Sequence, residues 1–176
     1  MTSRFGCERQ EPRPEDSGVL CAAALVLGFG NVLLSDDGAG VRLVERLRSE
    51  LGTDAAQFVD AGTLSFSLLS YVEEAESMLV IDAADLHADP GEIGLFEGAA
   101  MDDFLKSARR RTVHEIGLTD LLDMARLHDC LPERRALLCI QPLRIDWSEK
   151  LSAPVAKALP DAVRMARATL QRWSRA

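Results

Sequence analysis

The chain has 176 residues, 47% of them hydrophobic, and a formal net charge of -8. That length fits one domain, which buries roughly 70% of the surface its unfolded chain exposes and needs no staples. The acidic balance argues against nucleic acid and anionic membrane as partners.

Residues 1–20 are polar, with Pro12 and Pro14 and charges of both signs, and read as a flexible tail ahead of a single domain over 21–176. No apolar core follows a basic segment there, so no secretory signal is expected. The run Val19–Leu34 is broken by Gly28, Gly30 and Asn31, which rules out membrane insertion. The four cysteines (Cys7, Cys21, Cys130, Cys139) form no CxxC pair, which argues against a structural zinc site. Scattered thiols fit a reducing compartment, and a cytoplasmic protein is expected.

Residues 23–29 read as a buried first strand, followed by a helix that Ser35 or Asp36 can cap. Val41, Val44, Leu47 and Leu51 form the apolar stripe of that helix. Gln57–Asp60 is a short second strand. Thr63 or Ser65 can cap a second helix with the stripe Leu64, Leu68, Leu69 and Val72. Residues 77–82 form a third buried strand, and Pro90-Gly91 marks a turn. Ile93–Phe96 is a fourth strand, near an edge because it alternates and carries Gly94. Met101, Phe104 and Leu105 belong to a short helix, and Leu118, Leu121, Leu122 and Ala125 to the helix after His114. Ala136–Gln141 is the fifth strand. Val155, Leu159, Val163, Ala166, Leu170 and Trp173 line the last helix, which Pro160 kinks or restarts. Alternating strands and helices predict an α/β fold: one doubly wound domain with a mostly parallel five-stranded sheet flanked by helices.

In such sheets ligands bind beyond the carboxyl ends of the strands, at the topological switch point. Asp36 and Asp37 follow the first strand, Asp82 ends the third, and His114 opens a later helix. With the first strand between the second and third, Asp37 and Asp82 become neighbours. Carboxylates and one imidazole at that edge point to a cation or a proton-transfer task. The bland alternative for Asp36 and Asp37 is capping of a helix and its dipole, which needs only one of them. Asp82 needs a partner wherever it lies, because a charge near a core is costly alone. Asp60 has the plainer role of accepting loop amide hydrogen bonds. Gly28-Phe29-Gly30-Asn31 is either a loop that a ligand approaches or a tight turn. Leu33 stands where a dinucleotide fingerprint needs a third glycine, so nucleotide binding is discounted. His87 and His128 are not placed by strand geometry, and Arg109-Arg110-Arg111 reads as a solvated face. No serine elbow or Cys/His pair is present.

The segment from Val26 to Arg42, with Gly28-Phe29-Gly30-Asn31 and Ser35-Asp36-Asp37-Gly38, resembles the N-terminal signature of the [NiFe]-hydrogenase maturation endopeptidases. The resemblance continues through Val59–Thr63, Leu79–Ala83, His114–Leu118 and Gln141-Pro142, and spans roughly residues 22–172. It implies removal of the C-terminal extension of a hydrogenase large-subunit precursor after nickel insertion. It also implies Asp37, Asp82 and His114 as nickel contacts, with Asp37 and Asp82 in the catalytic role. Gly28, Gly30, Asn31, Asp36, Asp60 and Gly62 would position the loops. Two positions depart from the family pattern: Asp37 replaces the usual glutamate and Ala61 replaces a glycine. Nickel would arrive with the precursor, and the enzyme would act as a monomer. Two alternatives are a non-proteolytic accessory protein that binds nickel or the large subunit, and a flavodoxin-like small-ligand module. The acidic edge argues against the latter.

Overall fold

The computed structural model describes residues 24–62, 68–108 and 113–175, with residues 108 and 113–116 described by their backbone alone. The strands are β1 (Ala24–Phe29), β2 (Gln57–Gly62), β3 (Ser77–Ala83), β4 (Ile93–Glu97) and β5 (Arg134–Ile140). The helices are α1 (Ala39–Leu51), α2 (Leu69–Glu73), α3 (Ala99–Ala108), α4 (Val113–Leu127) and α5 (Ala153–Ser174). A 3-10 turn, Ser35–Gly38, precedes α1.

The sheet order is β2-β1-β3-β5-β4. All pairings are parallel except that of β4, which runs antiparallel to β5 at the edge. β1 and β3 are buried along their whole length, as a parallel strand covered on both faces must be. Period-two alternation sorts their side chains into two cores. Val26, Leu79, Ile81, Leu138 and Ile140 pack with α1 and α5 on one face. Leu25, Leu27, Met78, Val80, Leu137 and Cys139 pack with α2, α3 and α4 on the other. Edge strand β4 is covered by α3, where the Phe96 and Phe104 rings stack at 4.2 Å.

Three local expectations change. Neither Ser35 nor Asp36 caps a helix: the first turns of the 3-10 segment and of α1 carry no side-chain cap. Asp36 instead bonds to a segment more than a hundred residues away, because full burial leaves it no water and the later loop supplies amides. Pro160 does not restart the last helix, which runs from Ala153 to Ser174 with the proline inside. The apolar stripe on the sheet holds both halves in one helix despite the missing N–H. β5 also begins two residues earlier than its apolar pattern, because Arg134 and Arg135 pair with Ser77 and Met78. The tail over 1–20, the caps Thr63 and Ser65, Leu64 and the run Arg109–Arg111 lie outside the described residues.

Candidate active site at the switch point

β1 leads to β2 on one side and has β3 on the other, so the switch point lies beyond the carboxyl ends of β1 and β3. The approach of α1 to this edge is set by glycine. A Cβ on Gly40 would stand 2.3 Å from the Phe29 carbonyl oxygen and 2.4 Å from that of Ile81. Only a bare α-carbon lets the helix start sit on the ends of both strands. The 3-10 turn before it therefore contacts β3.

The loop between β1 and this turn closes on itself. Gly30 has φ +119, and a Cβ there would be 1.9 Å from the Asp37 carbonyl oxygen. The Gly30 N–H donates to the Gly62 carbonyl at 2.9 Å, which ties the β1 and β2 exits together. The Asn31 N–H donates to Asp37 Oδ2 at 2.8 Å, and the Asn31 side-chain oxygen accepts from the Leu33 N–H at 3.0 Å. Of the two readings of these glycines, the tight turn accounts for what they touch: Gly30 packs on backbone. Asp60 accepts the Gly62 N–H at 2.8 Å, the loop role expected of it.

Asp36 and Asp37 diverge. Asp36 is fully buried. Its Oδ2 accepts from the Leu143 and Arg144 N–H groups at 2.9 and 3.2 Å, and its Oδ1 from the Ser152 N–H at 2.7 Å. It is thus the anchor of the loop after β5. Asp37 is nearly buried and sits where the 3-10 turn meets β3. Asp82 is also nearly buried, and its Oδ1 accepts the Ala83 N–H at 2.8 Å. Alternation with Met78 and Val80 turns Asp82 toward the face covered by α4, and its neighbour across the ladder is Cys139. His114 lies in the first turn of α4; its side chain is outside the described residues. Among the described residues, no group of three or more His, Cys, Asp or Glu side chains is arranged to hold a metal ion.

The other two histidines pair elsewhere, His87 with Asp85 after β3 and His128 with Glu73 on α2. One organising residue was read only as part of a motif. Gln141 Oε1 accepts the Leu86 N–H at 2.7 Å, and the Gln141 backbone accepts the Gly91 N–H at 2.9 Å. It therefore ties the loop after β3 to the end of β5. From sequence Gln141 is the last residue of the fifth strand and part of the Gln141-Pro142 pair, whereas the strand ends at Ile140 and leaves Gln141 free to hold the loops.

The model of the family described as hydrogenase maturation protease matches residues 41–169. The chain belongs to the hydrogenase maturation protease family. It is 36% identical over 152 residues to the hydrogenase expression/formation protein HupD of Rhizobium leguminosarum bv. viciae, covering 85% of this chain and 74% of that one. Among solved structures it resembles the hydrogenase maturating endopeptidase HybD from E. coli, with a TM-score of 0.77 at 25% identity over 85% of this chain and 92% of that one. It also resembles the [NiFe] hydrogenase maturation protease HybD from Thermococcus kodakarensis, with a TM-score of 0.70 at 27% identity over 82% and 97%. The family makes this protein an endopeptidase. Among the described residues no helix is long and apolar enough to cross a membrane.

Proposed function

We propose that this protease removes the C-terminal extension of a [NiFe]-hydrogenase large-subunit precursor once nickel is in place. In this reading it recognises the substrate-bound nickel through Asp37, Asp82 and His114. One observation carries the proposal. Asp37 and Asp82 both lie nearly out of solvent at the switch-point edge, where the 3-10 turn meets β3. Carboxylates in a low-dielectric setting favour a divalent cation strongly, and carboxylate with imidazole suits a borderline ion such as nickel.

Nickel is part of the substrate in this scheme. Its capture fixes the scissile peptide against the protein, which converts hydrolysis into a positioned reaction. Water attacks the carbonyl carbon. A carboxylate of Asp37 or Asp82 takes the proton of that water, and the departing amine recovers a proton as the C–N bond breaks. Asp37 is one methylene shorter than glutamate, and its Oδ2 already accepts the Asn31 N–H. Its reach is thereby fixed from the loop side. The motif glycines and Asp36 hold the frame and are positioning residues.

The test is cleavage of nickel-loaded precursor, read by intact mass, with Asp37→Asn, Asp82→Asn and His114→Ala. Each amide keeps the shape of its carboxylate and removes the charge. We expect each variant to lose at least about a hundredfold in rate with an unchanged melting profile. Cleavage at the normal rate by both Asp variants would sink the proposal. The protease class set by the family leaves the accessory-protein reading without support.

A further inference from the structure

The loops that flank the carboxylates carry most of the large apolar side chains left in solvent. Leu33 is 44% exposed, Leu143 53%, Ile145 54% and Trp147 82%. Only Tyr71 and Leu127 match them among the described residues. The four belong to two segments zipped side by side. Leu34 and Ser148 form a parallel bridge. The Ser35 N–H donates to the Ser148 carbonyl at 2.6 Å, and the Ser148 N–H to the Leu33 carbonyl at 3.0 Å. The Ser35 hydroxyl donates to the Lys150 carbonyl at 3.0 Å. Asp36 then clamps both ends of the second segment, Leu143-Arg144 and Ser152.

Scattered exposed apolar residues need no explanation, but a cluster held in place by a buried carboxylate does. The anchor of that cluster is the residue immediately before Asp37, so the apolar loop and the site carboxylate hang from one 3-10 turn. A loop serving only to connect β5 to α5 would be cheaper with polar side chains.

We propose that Leu33, Leu143, Ile145 and Trp147 form a docking platform for the folded body of the precursor protein. This rests on the proposed function above and adds where that substrate is held. Two features identify the occupant. An endopeptidase must receive a polypeptide at this edge, and the platform is continuous with it. The apolar side chains alternate with exposed charges of both signs, Arg144 paired with Asp146, so the rim carries no net charge and suits an apolar protein surface. An exposed tryptophan beside aliphatic neighbours is the usual anchor of such contacts.

The experiment measures binding of nickel-loaded precursor, alongside its cleavage, for the unaltered protein, the double variant Ile145→Ser/Trp147→Ser, and Leu127→Ser. Leu127 is 83% exposed at the far end of α4, toward the opposite sheet edge. Size-exclusion elution and thermal melting accompany each. The platform predicts an affinity at least about tenfold weaker for the double variant, a KM raised in step, kcat within about twofold, and no change for Leu127→Ser. Equal affinity of the double variant and the unaltered protein would overturn it. So would a dimer that only the double variant loses while precursor binding stays the same, since the occupant would then be a second copy. Precursor that binds tightly without being cut would end the proteolytic reading but leave the platform standing, provided the double variant binds more weakly.

Discussion

At the scale of the residue, two adjacent aspartates have unlike tasks. Asp36 spends its carboxylate on backbone amides of a distant loop, while Asp37 accepts the nearby Asn31 amide within the 3-10 turn that contacts β3. Buried amides that lose an acceptor cost their desolvation, so Asp36→Ala should destabilise the fold by about 3 kcal/mol. Asp36→Asn should fall between the two, because the amide nitrogen cannot accept and only one oxygen remains. Denaturant unfolding of the three proteins measures this; equal midpoints would show that the clamp contributes nothing. This division of labour was not legible in the sequence. A capping aspartate and a long-range anchor look the same until the loop that supplies the amides is in place. The sequence pattern located Asp82 better, because a continuous apolar run can end at the functional edge of only one kind of sheet.

At the scale of the element, three pieces are joined by one carboxylate. Asp102 of α3 meets Arg135 of β5 at 2.7 Å and Arg126 of α4 at 2.9 Å. Burial pushes the Asp102 carboxyl up, but the hydrogen bond to Arg135 and the charges of Arg135, Arg126 and Lys106 outweigh it and hold it below the usual carboxylate range. A lowered folded-state value stabilises above the unfolded value of about 3.9 and is lost as the pH falls through the folded one. The melting temperature of Asp102→Asn should therefore lie below that of the unaltered protein at pH 7, with the gap closing below about pH 4. A gap independent of pH would contradict this. Helix α5 gives a second prediction at this scale. Pro160 is exposed inside the helix and donates no N–H. Pro160→Ala restores that donor and should stabilise the protein by about 1–3 kcal/mol, seen as a higher melting temperature; a lower one would mean that the proline fits a local bend. Element types followed from periodicity, and β4 was legible as an edge from its alternation and Gly94. Periodicity cannot tell whether a proline ends a helix, since the packing of Val155, Val163, Ala166 and Leu170 on the sheet decides that.

At the scale of the whole molecule, the order β2-β1-β3-β5-β4 makes the candidate site. It sets the exits of β1 and β3 side by side, lets Gly40 seat the start of α1 on both, and hangs the apolar loop after β5 from the same turn. The edge on which these parts meet was foreseeable from strand order. The proposed platform was not, because Leu143, Ile145 and Trp147 alternate with polar residues at a strand's period, yet their segment stays outside the sheet and bridges Leu34 only at Ser148. The central claim is that cleavage is a checkpoint on metal loading. It is tested by incubating the protein with nickel-loaded and nickel-free large-subunit precursor and reading the intact mass of each. The account predicts loss of the C-terminal extension from the loaded precursor alone. Cleavage of both at the same rate would contradict it.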